Sequence, residues 1–150
     1  MRRRKAGPPI PVRRDLFVDT SAWFPLALRT HPRHLELQGL LTTRVREGAR
    51  ITTTNLVVAE AHALLLKRVG IRAAMDFVLQ VRKIPNQVVV SSTLLEDRAI
   101  SDWLSKFQDQ KFSLADGVSF AVMNELGISE ALTLDRHFAT AGFTVLPPLN

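Results

Sequence analysis

Four acidic side chains lie in parts of the sequence where the surrounding residues predict burial. They are Asp19, Glu60, Asp116 and Asp135. Two of them come at the ends of short apolar runs, 16–18 and 131–134, and the other two lie on the apolar side of helical stretches. Charged groups are rarely buried unless they pair with an opposite charge or bind a metal ion. Because the set has no obvious cationic partner, it indicates a metal site.

The chemistry of such a site follows from its donor atoms. Four carboxylates brought together would repel one another and take up protons unless a cation neutralised them. Oxygen ligands alone favour the hard ions Mg²⁺ or Mn²⁺ over zinc. One or two such ions suit in-line attack of water on a phosphodiester, in which one ion activates water and another stabilises the leaving oxygen. Each acid also has a structural alternative, because Asp19 and Asp135 could be helix caps and the other two could be misplaced by one position on the helix.

The elements that carry the acids alternate between strands and helices. Apolar or β-branched runs predict strands at 16–18, 51–53, 88–90, 131–134 and 143–146. Helical periodicity predicts helices over about 23–28, 32–47, 55–69, 72–82, 93–107 and 113–127, with a short helical turn at 136–140. The predicted caps are Thr20 or Ser21, Thr54 or Asn55, and Ser113. This alternation predicts an α/β fold with three α/β/α layers and a mostly parallel central sheet.

The four acids are expected to meet at one edge of this sheet. In open α/β sheets, ligands bind outside the carboxyl ends of the strands, which is where Asp19 and Asp135 are predicted. The helices that follow strands begin at the same edge, and Glu60 and Asp116 fall in their early turns. Apolar neighbours four residues away put Glu60 and Asp116 on the inward face of their helices. The pattern therefore predicts a single acidic pocket.

Four segments that contain these acids resemble a known family when taken in order. They read LFVDTSAW, TTTNLVVAEAHALL, FSLADGVSFAVMNELGI and ALTLDRHFATAGFTVLP. The set is similar to the PIN domain, specifically to the small single-domain ribonucleases typified by the VapC toxins of type II toxin–antitoxin pairs. The resemblance covers about 15–147, and each motif alone is weak, but the ordered set with an acid at each expected place is specific.

This resemblance implies a set of residue roles and partners. The four acids would coordinate Mg²⁺ or Mn²⁺, with Asp19 and Asp116 as the most direct ligands. Ser21, Asn55 and Ser113 match small polar positions beside the site. The family also implies a homodimer, cleavage of RNA to 5′-phosphate and 3′-hydroxyl ends, and inhibition by a cognate antitoxin. Arg136 is a further candidate for binding the phosphates of the RNA substrate, because a guanidinium can bind oxyanions through two hydrogen bonds.

The basic residues are concentrated in an N-terminal segment that the family does not usually have. Residues 1–14 contain six of the 20 Lys and Arg and no acid, so the remaining 14 bases balance the 14 acids and the net charge of +6 belongs to this segment. We therefore divide the chain into a basic, disordered arm at 1–14 and a PIN-like nuclease domain at 15–150. The arm could be a solvated leader, extra residues from an upstream start codon, or a hook for phosphate backbones.

Composition excludes several other classes of protein. No apolar stretch approaches the roughly 18 residues of a membrane helix. Cysteine is absent, which excludes disulfides, thiolate nucleophiles and zinc fingers. The basic N-terminus runs into prolines rather than into an apolar segment, unlike a secretion signal. These features favour a cytoplasmic protein that does not enter a membrane.

Two other functions remain open from the residues alone. An aspartyl-phosphate phosphatase would use the Asp at a strand end as its nucleophile, but such enzymes usually have a second Asp two residues later, where this chain has Ser21. A catalytically silent RNA-binding module would rely on the basic arm, and its affinity would fall steeply with salt. Among the histidines, His137 lies beside the predicted site and could touch phosphate, cap a helix or face solvent, whereas His62 is predicted off the Glu60 face.

Overall fold

A five-stranded sheet forms the centre of the molecule. The computed structural model describes residues 14–83 and 86–150, so the prediction for the arm lies almost wholly outside the described residues. The strands are β1 (Leu16–Val18), β2 (Ile51–Thr54), β3 (Asn86–Val89), β4 (Glu130–Leu132) and β5 (Thr144–Leu146). They are all parallel and are ordered β3-β2-β1-β4-β5 across the sheet.

Helices form a layer on each side of the sheet. They are α1 (Thr20–Ala27), α2 (His34–Arg46), α3 (Asn55–Arg68), α4 (Ile71–Val81), α5 (Thr93–Ala99), α6 (Leu114–Leu126) and α7 (His137–Thr140). The first four pack mainly on one another, and α6 packs on both α5 and α7. Because crossovers between parallel strands are right-handed, the two groups cover opposite faces of the sheet. The predicted three-layer α/β/α fold is confirmed.

The order of the strands creates a crevice beside β1. The chain runs from β1 to β2 and β3 on one side, and then crosses over to β4 and β5 on the other. β1 is therefore central, which is why its three residues are apolar and fully buried. The connections after β1 and β4 leave in opposite directions, and ligands bind at such a switch point outside the carboxyl ends of the strands.

Three fully buried phenylalanines fix the elements that surround this crevice. Phe138 of α7 packs against Phe17 of β1, with ring centroids 5.9 Å apart, and against Phe120 of α6 at 5.0 Å. Aromatic pairs of this kind add to the stabilisation from buried area. Asp116 precedes Phe120 by one helical turn, and His137 precedes Phe138 directly. The core thus holds both residues at the same end of the sheet.

The helix caps agree with the predictions at two of three positions. Thr54 caps α3 and Ser113 caps α6, in each case through a side chain that accepts a hydrogen bond from a first-turn amide. The prediction that Thr20 or Ser21 caps α1 is wrong, because Asp19 is the cap. Asp19 has an extended backbone directly after β1, so the helix begins one residue earlier than the polar Thr-Ser pair indicates.

Two elements are shorter than their sequence patterns predict. β4 ends at Leu132 rather than at 134, because the amide of Asp135 donates to Thr133 Oγ1 at 3.0 Å and the chain turns there. The predicted helix over 93–107 is α-helical only as far as Ala99 and continues as a π-helical segment, Ile100–Leu104. Among the described residues, no helix is long and apolar enough to cross a membrane.

Candidate active site

Asp19 lies at the floor of the crevice, at the junction of β1 and α1. Only 6% of the residue is exposed. Its Oδ2 accepts hydrogen bonds from the Ser21 amide at 3.3 Å, from Ser21 Oγ at 2.8 Å and from Thr133 Oγ1 at 3.1 Å. Because these three donors all donate to Oδ2, they fix the orientation of the carboxylate.

Burial makes ionisation of Asp19 costly. The pKa of its carboxyl is raised from an ordinary value of 3.8 to about 6, chiefly by removal from water and to a smaller extent by the nearby charge of Asp116. The hydrogen bonds from Ser21 and the neighbouring amides offset only part of this rise. A buried acid in a crevice with a raised pKa is typical of a functional site, and a bound cation would stabilise its charged form.

Two hydroxyl groups connect the end of β1 to the loop after β4. Ser21 Oγ donates to Asp19 and accepts the Leu134 amide at 2.8 Å, and it lies 3.0 Å from Thr133 Oγ1. Thr133 Oγ1 in turn donates to Asp19 and accepts the Asp135 amide. Thr133 is not among the residues predicted from the sequence, although a threonine two residues before Asp135 is a recognisable signal for a turn of this kind.

Asp116 enters the site from the first turn of α6. Its Oδ2 accepts the Ser113 amide at 3.0 Å, while Ser113 Oγ accepts the Asp116 amide at 3.0 Å, so that the two residues form a capping box. The following residue, Gly117, lies so close to α5 that an added Cβ would be 3.1 Å from the Cβ of Ala99. Close packing and capping therefore fix the backbone from which Asp116 projects. Its side chain is 15% exposed.

Asp135 and His137 complete a cluster with Asp116. His137 Nδ1 lies 3.4 Å from Asp116 Oδ2 and 3.5 Å from Asp135 Oδ1. One ligating atom from each of the three residues lies within 4.8 Å of the other two. Asp135 Oδ1 also accepts the His137 amide at 2.9 Å, which holds this carboxylate at the start of α7.

Glu60 does not join this cluster, and the prediction that it faces inward is wrong. The buried residues of α3 are Val57, Val58, Ala61 and Leu65, and Glu60 is exposed. Leu56 and Leu64, which predicted its face, are only partly buried themselves. Among the described residues, no hydrogen bond or ion pair joins Glu60 to another acid of the predicted set. The structure thus brings Asp19, Asp116 and Asp135 together and leaves Glu60 at the surface of α3.

The predicted substrate-binding residues differ in their surroundings. Ser21 forms hydrogen bonds with Asp19, and Ser113 forms hydrogen bonds with Asp116. Asn55, the first residue of α3, accepts the Ser91 amide on its Oδ1 at 2.7 Å, which ties α3 to the loop after β3. Arg136 is exposed between Asp135 and His137. The guanidinium of Arg136 could therefore contact a phosphate group of a ligand at the crevice.

The charges of the site fit a hard divalent ion. Within the described part of the chain, no Lys or Arg forms an ion pair with Asp19, Asp116 or Asp135. Oxygen atoms of three carboxylates, one of them buried with a raised pKa, form a donor set suited to Mg²⁺ or Mn²⁺. The same convergence of acids on a switch-point crevice agrees with metal-assisted chemistry on a phosphate.

The sequence matches the family model of the PIN domain over residues 16–144. This match spans most of the 150 residues and includes all four predicted acids. The chain therefore belongs to the PIN domain family.

Its relatives place the chain near the VapC toxins of that family. It is 32% identical over 133 residues to the 23S rRNA-specific endonuclease VapC20 of Mycobacterium tuberculosis, in strains CDC 1551 / Oshkosh and H37Rv, across 89% of this chain and 98% of that protein. The crystal structure of VapC20, a Sarcin-Ricin loop cleaving toxin, superimposes with a TM-score of 0.78 and covers 86% of this chain and 96% of the other. The resemblance to VapC toxins is confirmed.

Proposed function

We propose that this protein is a metal-dependent endoribonuclease and the toxin of a type II toxin–antitoxin pair. The observation that carries the proposal is the convergence of Asp19, Asp116 and Asp135 from three separate elements on the switch-point crevice. One of these acids, Asp19, is buried with a raised pKa, and no Lys or Arg of the described residues is paired with it. The similarity to an RNA endonuclease along almost its whole length supports this interpretation.

Asp19, Asp116 and Asp135 are the residues that would hold Mg²⁺ or Mn²⁺. Such an ion, when bound, lowers the pKa of a water molecule and neutralises charge on the phosphate. The protein itself orients the ligands, because Ser21 and Thr133 donate hydrogen bonds to Oδ2 of Asp19 and hold its carboxylate in place. Ser113 holds the carboxylate of Asp116 in place through the capping box.

The proposed reaction is hydrolysis of one phosphodiester bond of RNA. Water attacks phosphorus, the bond to the 3′ oxygen breaks, and the products carry a 5′-phosphate and a 3′-hydroxyl group. Arg136 would bind non-bridging phosphate oxygens at the rim of the crevice, because its guanidinium is exposed there. We assign Ser21, Asn55 and Ser113 to the polar wall of the substrate site, and Glu60 to a peripheral position in it.

Ribosomal RNA is the substrate class to test first. The relative that aligns over most of this chain is named as specific for 23S rRNA, and its crystal structure is described as that of a toxin that cleaves the sarcin–ricin loop. We extend that substrate class to this chain as a proposal, and with it a cytoplasmic location, where ribosomes are found.

The proposal includes two protein partners, a second copy of the chain and a cognate antitoxin. Side chains exposed along α4 supply apolar surface that a partner could cover, namely Ile71, Met75 and Leu79. An open groove of about 950 Å³ between α4 and the α1–α2 pair lies beside them, and none of the three converging acids lines it. Light scattering would test the homodimer, and a short neighbouring reading frame that encodes a DNA-binding protein would support the antitoxin.

Cleavage of a defined RNA tests the catalytic proposal. The purified protein is incubated with a hairpin that carries the 23S sarcin–ricin loop sequence, with Mg²⁺, with Mn²⁺ or with EDTA, and the product ends are mapped. We expect cleavage with either ion, none in EDTA, and none for Asp116→Asn. Asp97→Asn is the matched control, because Asp97 is exposed on α5 and lies outside the site.

The same experiment separates the alternative functions. Cleavage by Asp116→Asn at the rate of the unchanged protein would contradict the metal role of this residue. Binding of RNA without cleavage under any metal condition would instead favour a silent RNA-binding module. Release of phosphate from an acyl phosphate without cleavage of RNA would favour the phosphatase.

A further inference from the structure

The imidazole of His137 faces the carboxylates of the site rather than solvent. Its Nδ1 lies 3.4 Å from Asp116 Oδ2 and 3.5 Å from Asp135 Oδ1, two oxygens that come from different elements. His137, Asp116 and Asp135 thus form a group of three side chains whose ligating atoms lie within 4.8 Å of one another. One nitrogen donor therefore lies in a site for which the sequence predicts oxygen ligands alone.

The position of the ring is fixed from three directions. The backbone amide of His137 donates to Asp135 Oδ1 at 2.9 Å, and the next residue, Phe138, is fully buried in the aromatic core. Phe112 packs edge-to-face against the imidazole, with a centroid distance of 5.1 Å and an interplanar angle of 78°. This packing keeps Nδ1 directed at the acids, and the side chain is only 28% exposed.

The distances from His137 Nδ1 to the two carboxylate oxygens suit three ligands of one metal ion better than they suit hydrogen bonds. Hydrogen bonds from N–H to O have donor–acceptor distances of about 2.7–3.2 Å, and both contacts of Nδ1 are longer than this. A single N–H also cannot point at two oxygens at once. Two ligands at right angles, each about 2.1 Å from one ion, lie roughly 3 Å apart. A contraction of about half an ångström would bring Nδ1 to that spacing from each of the two oxygens.

We propose that His137 Nδ1 is a direct ligand of the divalent ion, beside Asp116 and Asp135. This inference rests on the proposed function, since it concerns the ion of the same site. A nitrogen donor changes the preference of the site, because Mg²⁺ selects oxygen ligands whereas first-row transition ions also accept imidazole. The mixed donor set therefore favours Mn²⁺ over Mg²⁺.

Electron paramagnetic resonance of bound Mn²⁺ tests this inference without an activity assay. Pulsed spectra of the protein loaded with Mn²⁺ report directly whether a ¹⁴N nucleus coordinates the ion. We expect ¹⁴N modulation in the unchanged protein, its loss in His137→Gln, and its retention in the matched control His62→Gln on α3. Mn²⁺ affinity should fall by about tenfold or more in His137→Gln, and Mg²⁺ affinity, measured by competition, should fall less.

The possible results separate this inference from the proposed function. If Mn²⁺ binds and supports cleavage but the unchanged protein shows no ¹⁴N modulation, His137 is not a ligand and the endoribonuclease proposal stands. If ¹⁴N modulation persists in His137→Gln, another residue supplies the nitrogen and this inference is overturned. If Mn²⁺ does not bind at all, this inference is overturned, and if Mg²⁺ does not bind either, the proposed function fails with it. The spectrum of the unchanged protein decides the main question even if His137→Gln does not fold.

Discussion

Replacement of Asp19 by asparagine should stabilise the metal-free protein at neutral pH. A rise in the pKa of Asp19 from 3.8 to about 6, at about 1.36 kcal/mol for each pKa unit, corresponds to about 3 kcal/mol. Asparagine is uncharged and can keep its amide oxygen at the place of Oδ2, where Ser21 and Thr133 donate. Asp19→Asn therefore removes the cost of burying the charge while it retains most of the hydrogen bonds.

The sign of the effect follows from proton binding. The folded state binds the Asp19 proton more tightly than the unfolded state does. Binding of this proton therefore favours the folded state. Its contribution to the free energy of unfolding is fully present below about pH 3.8 and is lost as the pH rises through about 6. In EDTA, we expect Asp19→Asn and the unchanged protein to differ little near pH 4. By pH 7 the variant should be more stable, by up to about 3 kcal/mol.

Chemical denaturation in urea at a series of pH values measures this difference. Asp97→Asn is the control, because the same change at an exposed site should give a difference that does not depend on pH. Mn²⁺ at about 1,000 times its Kd should reverse the order, since the bound ion then adds about 4.1 kcal/mol to the protein that binds it. A stability difference for Asp19→Asn that stays constant from pH 4 to pH 7 in EDTA would refute the reasoning.

Three further perturbations test other parts of the structure. Thr133→Val should cost about 1–3 kcal/mol of unfolding free energy, because its hydroxyl donates to Asp19 and accepts the Asp135 amide. Thr52→Val should be neutral or stabilising, because the equally buried Thr52 hydroxyl has no hydrogen-bond partner in the part of the chain that the structure describes. Glu60→Gln should change stability by less than about 0.5 kcal/mol and should reduce RNA cleavage less than Asp116→Asn does, because Glu60 is exposed. Deletion of residues 2–14 should reduce the slope of log affinity for single-stranded RNA against log salt by up to about four, since six cations are removed.

Each of these predictions has an outcome that contradicts it. Equal costs for the two threonine variants in urea denaturation would mean that the Thr133 hydroxyl does not hold the site. Loss of cleavage in Glu60→Gln as complete as in Asp116→Asn would return Glu60 to the centre of catalysis. A salt slope that does not change on deletion of the N-terminal residues, with the melting temperature also unchanged, would make them irrelevant to RNA binding.

Local sequence patterns were sufficient for most of the fold. The apolar run of β1 can be buried only in the centre of a sheet, and the side chains of Thr54 and Ser113 signal helix starts through hydrogen bonds within the same turn. Glu60 shows where this reasoning fails. Its neighbours four residues away are leucines, but α3 buries a different stripe, and only the packing of α3 on adjacent elements determines which stripe that is.

The chain alone determined which residues are candidates for the chemistry, because the types of side chain and their places at the ends of strands are properties of local sequence. Asp19, Asp116 and Asp135 were predicted in this way. Only the tertiary structure decided which side chains meet: it joined Thr133 and His137 to the site and left Glu60 outside the cluster. The physical reason is that contacts such as that of His137 with Asp116, 21 residues apart, depend on how α6 and α7 pack on the central strand.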